Sequence, residues 1–215
     1  MTLAAADVLA EAAAAVPAAD ASRDRILDAA LQEAAAVGLA RLTVEDVVRR
    51  SGLGRMTVYR RFERRDALLD ALAVRETRRF LDAVAAATTA EDAFVAGMRF
   101  VRAHPLLRRM AEDDPGAVIS AVAAGDRTIL ALGSAFIAER LHGNRGGRPS
   151  RRTRWTAEAL ARLFVTYIAI PPVDPDIASD ADLRRFAREV LGPLTSGGQV
   201  ERAAAGVEQH RLPRE

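Results

Sequence analysis

Between Arg49 and Arg65 the chain sets seven arginines against one acid, Glu63, with Thr57 and Tyr59 among them. An arginine fork can grip a phosphate, or the O6 and N7 edge of guanine, through two hydrogen bonds at once. Threonine and tyrosine hydroxyls donate to phosphate oxygens without adding charge. This is the chemistry of polyanion recognition. The formal charge of the whole chain is only +2, so the other residues are net negative and the positive charge is local. Lysine is absent and all 31 basic residues are arginine, so placement, not abundance, is the signal. Such asymmetry favours a confined contact with an anion.

Other chemistries find little support. With no cysteine, disulfides and thiolate metal sites are excluded. His104, His142 and His210 are scattered, and neither a metal nor a cofactor is expected. The acids Glu112 to Asp114, and Asp174, Asp176, Asp180 and Asp182, fall at helix ends or in a loop. There they solvate or favour helix starts, and catalysis is not expected. The stretch GNRGGR lacks the lysine and the preceding strand of a phosphate loop. Glu11 and Asp20 interrupt the alanine-rich start, and no apolar run reaches spanning length. The expectation is a cytoplasmic protein with neither secretory signal nor membrane segment.

The positioning elements read as all-α. Residues 1–21 read as a loose arm. A helix from Ser22, its cap, to Val37 buries Ile26, Leu27, Ala30, Leu31 and Ala34, and Gly38 stops it. Thr43 caps the next, with Asp46 near its start and Val44 and Val47 inward, until Gly52. Only two or three residues later a short helix carries Val58 and Phe62 on its inner side. Helices joined this tightly form a helix-turn-helix. Arg55, Thr57, Tyr59, Arg60 and Arg61 then fall on or beside the outer face, where a helix can enter a major groove. Arg64 and Arg65 lie past that turn, closer to backbone than to bases. A charged helix is also often just a solvated face. A non-specific, architectural DNA binder and a helical protein-interaction module therefore stay open.

Further helices are predicted from Asp66 to about Ala87, then, after a break at Thr88 to Ala90, over 93–103, 105–113 and 117–141. A flexible basic loop, His142 to Arg154, precedes helices from Trp155 to Ile170 and from Asp182 to Leu191. The domains read as a DNA-binding head over 22–67, an effector-binding and dimerisation body over 68–197, and a tail over 198–215.

The segment Arg25 to Leu72 resembles the DNA-binding domain of TetR/AcrR-family transcriptional regulators. The likeness lies in RILDAAL, Gly38, LTVEDVVRRSGL, TVYRRF and RRDALL. It implies DNA contact from Thr43, Arg55, Met56, Thr57, Tyr59, Arg60, Arg61 and Arg65. Three departures stand out. Glu33 and Ala34 replace a bulky apolar pair ending in phenylalanine, so another residue, Phe62 or Leu68, must fill that space. Gly54 replaces a serine cap, and Met56 sits where glycine is frequent.

One short helix makes too few base contacts for a selective site. Two copies on a two-fold axis would read a palindrome with heads about 34 Å or more apart. The residues proposed for the dimer seam are Leu160, Leu163, Phe164, Tyr167, Leu183, Phe186 and Val190, which equally fit an ordinary core. The resemblance implies pairing through the last two helices, and repression relieved when a small molecule moves helix four. As a group, Phe80, Phe94, Met98, Phe100, His104, Met110, Phe136 and Phe164 would line its site. Such a lining favours an apolar or amphipathic ligand, although each residue also fits plain core.

Overall fold

The computed structural model describes residues 20–113, 128–143, 146–170 and 179–195, with Glu11, Gly116 and Ile177. The helix predicted over 117–141 lies partly outside these residues. So do nearly all of the N-terminal arm and the whole tail.

Helix α1 is Ala21–Val37, and its cap is Asp20, not Ser22: Asp20 Oδ1 accepts from the Arg23 amide at 3.1 Å. Aspartate caps as well as serine and adds a charge that suits a helix start. A single 3₁₀ turn, Leu39–Arg41, leads to α2, Val44–Ser51, capped by Thr43. Helix α3 is Arg55–Arg61 and α4 is Arg65–Ala85. In the body, α5 is Ala90–Ala103, α6 Pro105–Asp113, α7 Thr128–His142 and α8 Arg151–Ala169. Helix α9, Asp180–Phe186, runs on into a wider-wound turn, Ala187–Leu191.

Two starts differ from the sequence reading for one reason, a hydroxyl cap hidden in a polar stretch. Thr89 accepts from the Asp92 amide and opens α5 inside what reads as a break. Ser150 accepts from the Thr153 amide, drawing Arg151, Arg152 and Arg154 of the expected loop into α8. Ser179 and Asp182 form a reciprocal capping box at α9.

The head closes over Ile26, Leu27, Ala30, Val47, Val58, Phe62 and Leu68. Phe62 and Leu68 share this cluster with Ala34, and so does Leu106, which α6 contributes from the body. Met110 packs on the same cluster. Glu33 is nearly buried and pairs with Arg50 at 2.5 Å, tying α1 to α2. The departure at Glu33 thus becomes an inter-helix ion pair, and Ala34 is fully buried in the cluster that holds Phe62, Leu68 and Leu106.

Gly38 ends α1 at φ 86° and ψ 153°, a conformation that is essentially glycine's alone. An added Cβ would meet only Arg109 Nε, at 3.7 Å, so the obstacle is the backbone, not crowding. Gly38→Ala is expected to cost about 1–3 kcal/mol, read as a lowered urea midpoint with an unchanged slope.

Candidate nucleic-acid interface

Helix α3 stands on two buried anchors. Val58 is fully buried, and Phe62, 3% exposed, closes the helix by donating its amide to the Val58 carbonyl at 2.8 Å. Above them Arg55, Met56, Arg60 and Arg61 are exposed, and Thr57 and Tyr59 half-exposed. The turn before α3 is fixed from both sides. Gly52 takes the left-handed conformation, at φ 63°, and Arg25 Nε donates to the Ser51 carbonyl at 2.7 Å. The Gly54 carbonyl accepts from the Thr57 amide at 2.9 Å, starting α3 without a side-chain cap. Met56 is 80% exposed, an unusual cost for a thioether in a free head.

The seven arginines are not equivalent. Arg49 pairs with Asp46, Arg50 with Glu33, and Arg61 with Asp20 at 2.6 Å. Arg65 donates to the Leu42 carbonyl at 2.9 Å and to the Leu39 carbonyl at 2.5 Å, so its fork fastens the turn before α2. Arg55 lies over the Tyr59 ring at 5.2 Å, and its Nη1 reaches Glu45 Oε1 at 3.4 Å. Arg60 and Arg64 are exposed and pair with nothing among the described residues. Thr43 Oγ1 accepts from the Asp46 amide and donates to its carboxylate at 2.5 Å, so it is engaged in its own cap. That bond, with the charge of Arg49, holds the Asp46 carboxyl below its ordinary range.

In the body, the candidate lining residues divide. Phe80 stacks edge-on to Phe100 and touches Phe164, each at 5.6 Å between ring centres. Phe94 joins Phe164 and Phe186, and Tyr167 meets Phe186 at 5.5 Å. Gly97 lets Phe164 in, for a Cβ there would stand 3.0 Å from the ring. These rings fill the space between α4, α5, α8 and α9. Met98 is buried beside them, Phe136 is half-buried on α7, and Met110 belongs to the head's cluster. An open groove of about 730 Å³ lies elsewhere, between α7 and α8, lined by Ala135, Ala138, Arg148, Arg154 and Trp155 among others.

Of the residues proposed for a dimer seam, Leu183 is fully buried within one protomer and cannot lie at its surface. Leu160, Leu163, Phe164, Tyr167 and Phe186 are half-buried, and Val190 is exposed. Trp155, Ile170 and Leu194, not among the residues singled out for the seam, are with Val190 the exposed large apolar groups of α8 and the end of the α9 segment. Helical spacing marked the apolar positions; it did not tell the inner stripe from the outer one.

The sequence reading also missed the joint between head and body. Arg75 on α4 donates to the Asp24 carbonyl at 3.2 Å and to Asp28 at 2.8 Å, both on α1. Its neighbour Glu76 meets His104 Nε2 at 3.3 Å, while His104 Nδ1 accepts from the Leu107 amide at 3.2 Å. Arg109 of α6 donates to the last carbonyls of α1, Ala35 at 3.2 Å and Ala36 at 3.0 Å. His104 also stacks on Phe100 at 5.4 Å, so it joins the aromatic cluster to the joint. Among the described residues no three potential ligands gather to hold a metal, and no helix is long and apolar enough to cross a membrane.

Comparison with known proteins bears on the head first. Residues 26–72 match the model of the bacterial regulatory proteins, tetR family. An uncharacterized HTH-type transcriptional regulator of Mycobacterium tuberculosis H37Rv is 27% identical over 191 residues, 85% of this chain and 90% of its own length. The HTH-type transcriptional regulator AlkX of the same strain is 27% identical over 183 residues, 77% and 85% of the two chains. Among solved structures, the TetR family repressor AlkX from a Dietzia strain, implicated in biodegradation of n-alkanes, aligns with a TM-score of 0.47 at 22% identity. That alignment covers 77% of this chain and 92% of the other.

Proposed function

From a head that makes this chain a TetR/AcrR-family transcriptional regulator, we propose that it acts as a homodimeric repressor of a palindromic operator, released by an apolar or amphipathic small molecule. The observation that carries the reading is α3: buried Val58 and Phe62 below, exposed Met56, Arg60 and Arg61 above. Contacts to bases fall to Arg55, Met56, Thr57 and Tyr59. Contacts to phosphate fall to Arg60 and Arg64, which have no partner among the described residues to give up. Arg61 joins them by exchanging Asp20 for phosphate. Arg65 contributes by holding the turn that aims α2.

Pairing through α8 and α9 is supported by the exposed Ile170, Val190 and Leu194, apolar groups that a second copy would cover. The effector would enter by parting the rings around Phe80, Phe94, Phe100 and Phe164. Its leverage on the operator equals its preference between two arrangements of the head, however tightly it binds.

Geometry argues against DNA coating by head and basic segment together. Arg140, near the end of α7, donates to the carbonyls of Ala85, the last residue of α4, and of Ala87 just past it. The basic segment that follows thus begins beside the end of α4 away from the head, and a 21-residue helix is roughly 30 Å long.

Selection from random duplexes tests the proposal, and a palindrome is the expected product. Equal binding to the selected and scrambled duplexes would sink it. Replacing Arg60 and Arg64 by alanine together is expected to weaken binding to all duplexes and to flatten the salt dependence of log K by about 2, measured by anisotropy between 50 and 200 mM salt.

A further inference from the structure

We propose that Glu45 sets the selectivity of the head, holding Arg55 and Tyr59 against α2 and away from phosphates that carry no sequence; the proposal rests on the DNA-binding reading above. Glu45 is exposed in the first turn of α2, on the helix beside the recognition helix. One carboxylate oxygen faces Arg55 Nη1 and the other the Tyr59 hydroxyl, both at 3.4 Å. Arg55 lies across the Tyr59 ring, so carboxylate, guanidinium and phenol form one closed group. Its partners stand 10 and 14 positions along the chain on another helix, so local helical spacing does not account for the contact.

An acid on a surface that meets a polyanion lowers affinity for every duplex alike. Asp46, the neighbouring acid, is accounted for by the α2 cap and by Arg49. Glu45 makes no cap and engages two groups placed to read bases. The pair with Arg55 is open to solvent on both sides, with side chains 65% and 52% exposed. Such a tether is weak enough to be given up. A phosphate met in passing must compete with the carboxylate for Arg55. A guanine edge offering two aligned acceptors repays the exchange. Arg60 and Arg64, exposed and unpaired among the described residues, meanwhile carry the contact common to all sequences.

Glu45→Gln keeps the shape and removes the charge. It is expected to raise affinity for scrambled duplex about three- to tenfold and to steepen the salt dependence by about one unit, as one more phosphate contact would. The selected duplex gains less, so the ratio of selected to scrambled affinity falls. Glu45→Asp keeps the charge on the same edge and retains most of that ratio. Thermal midpoints of both variants stay near that of the unaltered chain, because the pair is exposed. If Glu45→Gln leaves the ratio unchanged or weakens both duplexes, or if Glu45→Asp behaves like it, the proposal is overturned. A preferred duplex with an unchanged ratio overturns this inference alone. The absence of any preferred duplex for the unaltered chain overturns the DNA-binding reading with it.

Discussion

Phe62→Ala is expected to destabilise the head by about 3–5 kcal/mol and to abolish operator binding at 37 °C while the body keeps its helices. Phe62 is 3% exposed and packs in the cluster that joins α1, α2, α3, α4 and α6. The guanidinium of Arg23 lies 5.5 Å from its ring centre, a contact worth about 0.5–1 kcal/mol where partly solvated. Collapse refills the space poorly, because Ala30 and Ala34 in the same cluster are small and already fully buried. A head of some fifty residues has only a few kcal/mol to lose. Phe62→Leu, which keeps most of the volume, should cost much less, about 1–2 kcal/mol. Far-UV circular dichroism with temperature would show an early helical loss in Phe62→Ala. The fluorescence of Trp155, the chain's single tryptophan, would report the body separately. One transition in both signals, at an unchanged midpoint, would refute the packing argument.

The head was legible because its signals are local. Gly38 and Gly52 end helices through their backbone conformation and Thr43 starts one through its hydroxyl, and all three do so in the structure. Val58 and Phe62 were read as inner anchors from spacing alone and are buried. What stayed hidden depends on which residue another one meets. Arg65 and Arg60 look alike in sequence, yet Arg65 is fixed to two carbonyls and Arg60 has no partner among the described residues. Glu33 read as a fault in an apolar face, because its partner Arg50 lies 17 positions away. In the body, helix period located apolar stripes but could not divide core from seam, and Leu183, read as seam, is fully buried. His104, named as a pocket residue, stacks on Phe100 and is also bound to Glu76 and the Leu107 amide. Only the folded chain brings α4, the α5–α6 junction and α1 to one place.

That junction carries the second large effect. Glu76→Ala should cost about 3 kcal/mol, the low end for removing one partner from a mostly buried ionic group. The Glu76 side chain is 12% exposed, as is that of Arg75. Its loss leaves His104 Nε2 without its acceptor, whereas Arg75 keeps Asp28, which is why the higher values do not apply. A double-mutant cycle with His104→Ala should give a coupling of about 0.5–3 kcal/mol; additivity within error would show that the two groups are independent. The same group makes stability depend on acidity. Burial alone would push the Glu76 carboxyl up, but the bond to His104 and the charges of Arg75 and Arg79 outweigh it, holding it below its ordinary 4.5. A carboxyl depressed on folding stabilises fully above its unfolded value, and that share fades as pH falls through the lower, folded value. Urea midpoints of the unaltered chain should therefore decline more steeply than those of Glu76→Gln as pH drops below about 4.5. Because Arg75 also grips α1 through the Asp24 carbonyl and Asp28, Glu76→Ala should weaken operator binding under conditions where both domains are still folded. A variant that unfolds earlier yet binds the operator as before would mean that this joint supports the fold without setting the angle of the head.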